Sequence, residues 1–339
     1  MPRHNMQPFR FKTGDSVEAE VRDFGMAPGA MYLAGGTTML DLMKLDVLRP
    51  DSLVYISSMV DNGIERSKDK ILVSAGMTMS DVAEHKLIVE NFPMVSEALL
   101  LSASPQIRNM ATIGGNLLQR TRCPYYRDVT YRCNKRDSGS GCDAIGGVDR
   151  MMAVLGTSEK CIATHPSDLA VSLSALAAVV HTQGVSGKRT IPIREFYIAY
   201  GEDPIAESIL ENGELITSIE LTITPAAKNS LYLKVRDRAS YEFALSSAAV
   251  GLDLDGDTIR SASIALGGVG TKPWFVKDVV SFLVNRKATR ETFEQAATDA
   301  LKDAKPGNQN QFKIELCRRT LIRALEYATR GEHPKWYVH

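Results

Sequence analysis

The sequence predicts an α+β fold, and three observations carry that reading. The first two-thirds alternates short strand-like and helix-like runs, with paired glycines between some of them. After Pro225 the pattern changes to successive β-rich runs followed by two segments of helical period. A length of 339 residues suits two or three subdomains sharing a sizeable core.

Taken in order, Met31 to Leu33 reads as a strand that runs through Ala34-Gly35-Gly36-Thr37-Thr38 into a helix over Met39 to Lys44. Ser52 to Ile56 and Ile71 to Val73 are further strands. A helix opens at Ser80, with Asp81 in its first turn, and another spans Phe92 to Ser102. Leu169 to Val180 is apolar and alanine-rich, which predicts a buried helix running towards a strand that ends near His181. Glu214 to Ile223 is a strand before Pro225. Leu231 to Val235, Ala248 to Leu254 and Thr258 to Leu266 form a three-stranded antiparallel sheet, with an Asp-Gly hairpin turn within Asp253 to Asp257. Glu291 to Ala304 and Lys313 to Arg330 are helical by period. The division into parts is drawn at 1–60, 61–226 and 227–339, and there is no internal repeat.

Composition narrows the function. Lys plus Arg and Asp plus Glu are both 40, so the formal charge is zero and the broad basic footprint of a nucleic-acid binder is missing. The least polar run, Leu169 to Val180, is too short to span a bilayer. Met1 to Phe11 contains no apolar h-region, which predicts a cytoplasmic chain unless a partner carries it elsewhere.

Five cysteines are present. Cys123, Cys133, Cys142 and Cys161 follow a C-x9-C-x8-C-x18-C spacing, while Cys317 stands alone in a helical segment and reads as a small buried hydrophobe. Disulfides would need an oxidising compartment. Structural zinc sites favour tighter C-x2-4-C pairs. An iron–sulfur cluster is a larger body whose ligands can be spread along a loop. Unconnected thiols complete the options. Thr121 to Lys160 lacks sustained periodicity and is rich in Arg, Tyr, Gly, Ser and Asp, so it reads as a long functional loop or a solvated one. Arg120, Arg122, Arg127, Arg132, Lys135 and Arg136 could offset anionic sulfur ligands.

Two glycine turns could hold a phosphate-bearing ligand. In Ala34-Gly35-Gly36-Thr37-Thr38, glycines let backbone N–H groups approach an anion and threonines add hydroxyl donors. The turn matches neither G-x-G-x-x-G nor the P-loop pattern, and a plain tight turn is the other reading. Ala111-Thr112-Ile113-Gly114-Gly115-Asn116 repeats the chemistry, and the two together suggest a pyrophosphate gripped from both sides. Leu266-Gly267-Gly268-Val269-Gly270 reads as a structural turn. Met26, Met31, Met39 and Met43 read as packing residues.

These motifs in order, with Gln106-Ile107-Arg108-Asn109, His165-Pro166-Ser167-Asp168-Leu169 and Leu233-Lys234-Val235-Arg236, make a specific pattern over nearly the whole chain. It resembles the FAD-binding medium subunits of the molybdenum hydroxylases, the xanthine dehydrogenase and carbon monoxide dehydrogenase group. Most members lack the four-cysteine insertion at 121–162. With it, the chain is most similar to the flavin and 4Fe–4S subunits of bacterial periplasmic aldehyde oxidoreductases, with a 4-hydroxybenzoyl-CoA-reductase-like or xanthine-dehydrogenase-like complex as the rival.

The resemblance implies a two-part FAD-binding domain of the PCMH/VAO type followed by a C-terminal α+β domain. It implies FAD contacts over Leu33, Ala34, Gly35, Gly36, Thr37, Thr38, Met39 and Leu40, and at Thr112, Gly115 and Asn116. Asp168 would accept from ribose or ribityl hydroxyls, and Ile216 and Lys234 would lie near the isoalloxazine. Without the resemblance, Ile216 and Lys234 read as a core strand residue and a solvated lysine. His165 reads first as a hydrogen-bonded structural histidine, with contact to flavin or cluster as the alternative. Cys123, Cys133, Cys142 and Cys161 would ligate one 4Fe–4S cluster. The partners implied are a large molybdenum-cofactor subunit, a small 2Fe–2S subunit and an external electron acceptor, with no nucleic acid and no membrane insertion. No residue of this chain would act on the organic substrate. The resemblance also implies periplasmic co-export led by a partner's signal. A stand-alone flavin enzyme and a zinc-braced scaffold are the competing functional classes.

Overall fold

A computed structural model describes residues 6–24, 29–57, 59–60, 62–201 and 203–333, so Met26 lies outside the described residues. Three sheets follow one another along the chain. The first is parallel, with β1 (Arg10–Thr13), β2 (Ala30–Leu33) and β3 (Ser52–Tyr55) in the order β1-β3-β2. The second is antiparallel and five-stranded. It holds β4 (Ile64–Ser67), β5 (Lys70–Ser74), β6 (Val179–Gly184), β7 (Gly187–Pro192) and β8 (Leu215–Thr222), ordered β4-β5-β8-β6-β7. The third has β9 (Ser230–Val235), β10 (Ser246–Asp255), β11 (Thr258–Gly267) and β12 (Trp274–Phe275), ordered β12-β11-β10-β9.

The last sheet therefore has four strands where the sequence predicts three. The addition, β12, is two residues long and pairs Phe275 with Ala265 and Trp274 with Leu266, too short to leave a period-2 signal. Two other boundaries move. The helix expected to open at Ser80 runs Met79–Glu84, because Thr78 caps it by accepting from the Asp81 amide at 3.2 Å. The helix expected to reach Val180 spans Asp168–Ala175. Ala177 takes a positive φ of 51° there, and β-branched Val179, Val180 and Thr182 continue as β6, past His181 to Gly184.

Strand β10 is buried on both faces, which explains its run of Ser, Ala and Gly. The helix Phe312–Arg330 packs on it, as does Asp168–Ala175. Gly251 lies so close to Ala226 that a Cβ would stand 2.3 Å from its carbonyl oxygen. Phe312–Arg330 buries Cys317, Thr320, Leu321, Ala324, Leu325 and Ala328 at helical spacing, and Gly331 ends it with a φ of 62°. One core spans the five-stranded sheet and its helices, and a second spans β9–β11 and this helix.

Beyond the helix, His333 Nδ1 lies 2.7 Å from Glu97 Oε1, while Glu97 Oε2 accepts from the Tyr232 amide at 2.6 Å. The hydrogen bond to Glu97 raises the His333 pKa above its ordinary value. A raised folded-state value means the stabilisation is complete below the unfolded pKa of about 6.5 and is lost as pH rises through the folded value. His333→Gln is expected to cost less than about 1 kcal/mol near pH 6 and nothing at high pH, since the pair is partly solvated. Urea midpoints across that range check it. An unchanged pH slope in the variant would contradict the assignment.

Candidate functional site

A cavity of about 880 Å³ opens where the parallel sheet meets the five-stranded sheet, near the top of the usual range of about 300–1,000 Å³ for small-molecule sites. Its floor is the turn between β2 and the helix Met39–Lys44. Gly36 has a φ of 72°, a conformation that favours glycine. A Cβ on Gly35 would stand 1.8 Å from the Met110 carbonyl oxygen, so the two glycine turns approach backbone to backbone. The amides of residues 35–38 donate to no acceptor among the described residues, leaving a concave row of free donors. That row is a fit for an anionic pyrophosphate. The helix that follows has only six residues.

The second turn is built differently. Thr112 caps the helix Ile113–Leu117 by accepting from the Gly115 amide at 3.2 Å, and the amides of Ile113 and Gly114 donate to Met77 and Ala75 carbonyls. Asn116 donates to Met79 Sδ and accepts from the Ser167 hydroxyl at 2.6 Å. This turn supplies shape, since a Cβ on Gly115 would meet only Thr112 Oγ1, at 3.0 Å.

Asp168 and Lys234 both line the cavity and form a buried ion pair at 2.7 Å. Asp168 also accepts from Tyr232 and Ser102 hydroxyls at 2.7 and 2.9 Å, and Lys234 also donates to the Leu101 carbonyl. The aspartate expected to face ligand hydroxyls is thus already engaged by three protein donors. Lys234 is 8% exposed, not a solvated lysine. Of the residues expected at the flavin, all line the cavity except Leu33 and Leu40, whose Cδ1 atoms lie 3.4 and 3.2 Å from a Cβ position at Gly36. His165 is half-buried, stacks edge-on against Tyr197 at 4.5 Å and accepts from the Ser167 amide. Desolvation pushes its pKa down to about 3, so the ring is neutral near pH 7.

Sequence reasoning missed the far wall. Glu207 and Glu214 reach it from the stretch before β8, and Arg238, Tyr241 and Phe243 from the stretch after β9. Tyr241 has a φ of 53°, and Arg238 donates to its carbonyl. None of these residues sits in a local motif.

One end of the cavity, at Arg120 and Arg122, continues directly into the four-cysteine loop. Residues 121–162 hold little regular structure beyond the short helix Pro124–Arg127, an antiparallel bridge that sets Cys133 opposite Cys142 and a parallel bridge from Leu155 to Gly270. Cys123, Cys133 and Cys161 are buried in one apolar cluster with Leu42, Tyr126 and Met152, with Cys142 packed against it, and all five cysteines are free thiols. Burial pushes Cys123 up to about 11 and Cys161 up to about 12. Cys142 adds to the raised values of Cys123, Cys133 and Cys161, so it lies within electrostatic reach of all three. Backbone amides donate to three of the sulfurs: Tyr125 and Tyr126 to Cys123, Lys135 and Arg136 to Cys133, and Ala163 to Cys161. Among the described residues, no three His, Cys, Asp or Glu side chains are gathered to hold a metal ion.

The loop's far end is fixed to the C-terminal sheet. Lys313 donates to the Met151, Met152 and Gly268 carbonyls at 3.2, 3.0 and 2.7 Å, and burial pushes its pKa down to about 7. Val154 and Leu155 amides donate to the Val269 carbonyl, which gives the third glycine turn a structural role. Cys317 is fully buried in its helix.

Comparison with known proteins follows the same outline. The family described as the FAD binding domain in molybdopterin dehydrogenase matches residues 8–222, and the CO dehydrogenase flavoprotein C-terminal domain matches residues 231–328. The aldehyde oxidoreductase FAD-binding subunit PaoB of Escherichia coli is 43% identical over 331 residues, covering 95% of this chain and 99% of that protein. The glyceraldehyde dehydrogenase medium chain of Sulfolobus acidocaldarius is 25% identical, covering 94% and 95%. Among solved structures, reconstituted CO dehydrogenase from Oligotropha carboxidovorans aligns with a TM-score of 0.75 at 22% identity, covering 96% and 99%.

Proposed function

The chain belongs to the FAD-binding medium subunits of the molybdenum hydroxylases, and from that premise we propose that it is the electron-transfer subunit of an aldehyde oxidoreductase carrying FAD and one 4Fe–4S cluster. Its partners are a large molybdenum-cofactor subunit, where the aldehyde reacts, and a small 2Fe–2S subunit. An external acceptor collects the electrons. One observation carries the reading: the wall of a flavin-sized cavity runs through Arg122 straight into Cys123 and the buried cysteine cluster.

Bound FAD supplies a carrier that exchanges electrons singly with clusters and in pairs with an acceptor. The chain's own residues bind and orient it. The free amides of residues 35–38 with Thr37 and Thr38 would hold the pyrophosphate. Asp168 and Lys234 fix each other at the cavity wall, and Ile216 closes the apolar side. Arg238, Tyr241 and Phe243 complete the cavity's lining from the stretch after β9. The four cysteines would hold the cluster. A cluster is larger than a single ion, so its ligands need not converge on one point, and amides that donate to sulfur suit such a centre.

Copurification with a tagged copy tests the reading. Two partner subunits are expected, together with FAD, molybdenum, and iron and sulfide in excess of the small subunit's 2Fe–2S complement. A chain that purifies alone with flavin would point to a stand-alone flavin enzyme.

A further inference from the structure

Two ionic bridges tie the cysteine loop to the cavity. Asp41 stands on the helix Met39–Lys44, immediately after the first glycine turn. Its Oδ2 accepts from Arg122 Nη1 at 3.2 Å and from Arg127 Nη2 at 2.8 Å. These arginines flank Cys123: Arg122 precedes it, and Arg127 closes the short helix whose amides return to the Cys123 carbonyl at 3.1 Å. Leu42, one residue beyond Asp41, is fully buried in the cysteine cluster. The second bridge is Glu207 on the cavity wall. It lies 2.7 Å from Lys135 Nζ and 3.3 Å from Arg120 Nε. Lys135 also donates to the Pro204 carbonyl and sits 3.7 Å over the Tyr200 ring.

A single short helix thus carries the phosphate-facing turn at its start and a clamp on the cysteine loop in its first turn. Moving Arg122 and Arg127 would move Asp41, and with it the turn at residues 35–38. We propose that Asp41 is a positioning residue that couples the two cofactor sites, so that an ordered, loaded cysteine loop tightens FAD retention. This rests on the reading that the four cysteines hold a cluster. By linkage, bound FAD must favour the ordered loop by the same factor. Glu207 acts beside it, but Asp41 is the member joined to the glycine turn by a rigid element.

The test measures FAD dissociation constants in the intact copurified complex, by flavin fluorescence, for wild type, Asp41→Asn, Cys142→Ser and the double variant, with iron determined on each. Cys142 is chosen as the least buried of the four. If that variant fails to fold, iron is removed from the wild type with a chelator and the same constants are read. Loss of the cluster is expected to weaken FAD binding by at least about fivefold when Asp41 is present, the lower end of typical coupling. In Asp41→Asn the same loss should change it less than about twofold, while Asp41→Glu restores the coupling. Equal weakening with and without Asp41, or none in either, overturns the coupling and leaves the cluster reading standing. A wild-type chain that binds FAD with no iron of its own overturns both.

Discussion

Gly35→Ala is expected to strip the chain of most of its FAD. The added Cβ would stand 1.8 Å from the Met110 carbonyl oxygen, 2.6 Å from its carbon and 3.1 Å from the Ala111 Cα. Every one of these atoms is backbone, so no side chain can swing aside and the two glycine turns must separate. Overpacking of this kind costs about 1–3 kcal/mol or more. Because each 1.4 kcal/mol is about a factor of ten in affinity, FAD retention should fall about tenfold or beyond. Gly63→Ala serves as control, since nothing lies within 4 Å of its Cβ position. Flavin absorbance per chain after gel filtration reads the effect. Full flavin in Gly35→Ala would refute the placement of the pyrophosphate at this turn.

The second large effect is expected from Cys133→Ser. The loop around it owes little order to secondary structure, and Cys133 sits buried opposite Cys142 with two amides donating to its sulfur. When a metal centre orders a loop, binding energy and folding energy are the same quantity. Replacing the thiol should therefore remove this chain's iron almost completely and expose Lys135 and Arg136 to trypsin. Those residues are otherwise held: Lys135 is buried, and Arg136 donates to the Tyr125 and Tyr126 carbonyls at 2.9 Å. Iron analysis and limited proteolysis report the two halves separately. A variant with full iron and an intact loop would leave the cysteines as ordinary packed thiols.

Local chemistry made part of this legible in the sequence. The first glycine turn and the helix Met39–Lys44 were readable because strand, turn and helix are contiguous. The hairpin of β10 and β11 was announced by Asp-Gly, and Gly256 takes a φ of 58° at that turn. What escaped depends on distance along the chain. Asp168 could be singled out, but its saturation by Ser102, Tyr232 and Lys234 requires three separate elements to converge. Glu207 and Tyr241 become cavity residues only when loops far apart in sequence meet. The paired glycines of the second turn looked like the first. Their amides are consumed by Ala75 and Thr112, so the motif is shared while the donors are not.

Native mass spectrometry of this chain released from the anaerobically purified complex tests the central claim most directly. The expected mass equals the polypeptide plus one FAD plus one 4Fe–4S cluster, with the cluster increment absent in Cys133→Ser. A mass showing FAD but no iron or sulfide would contradict it.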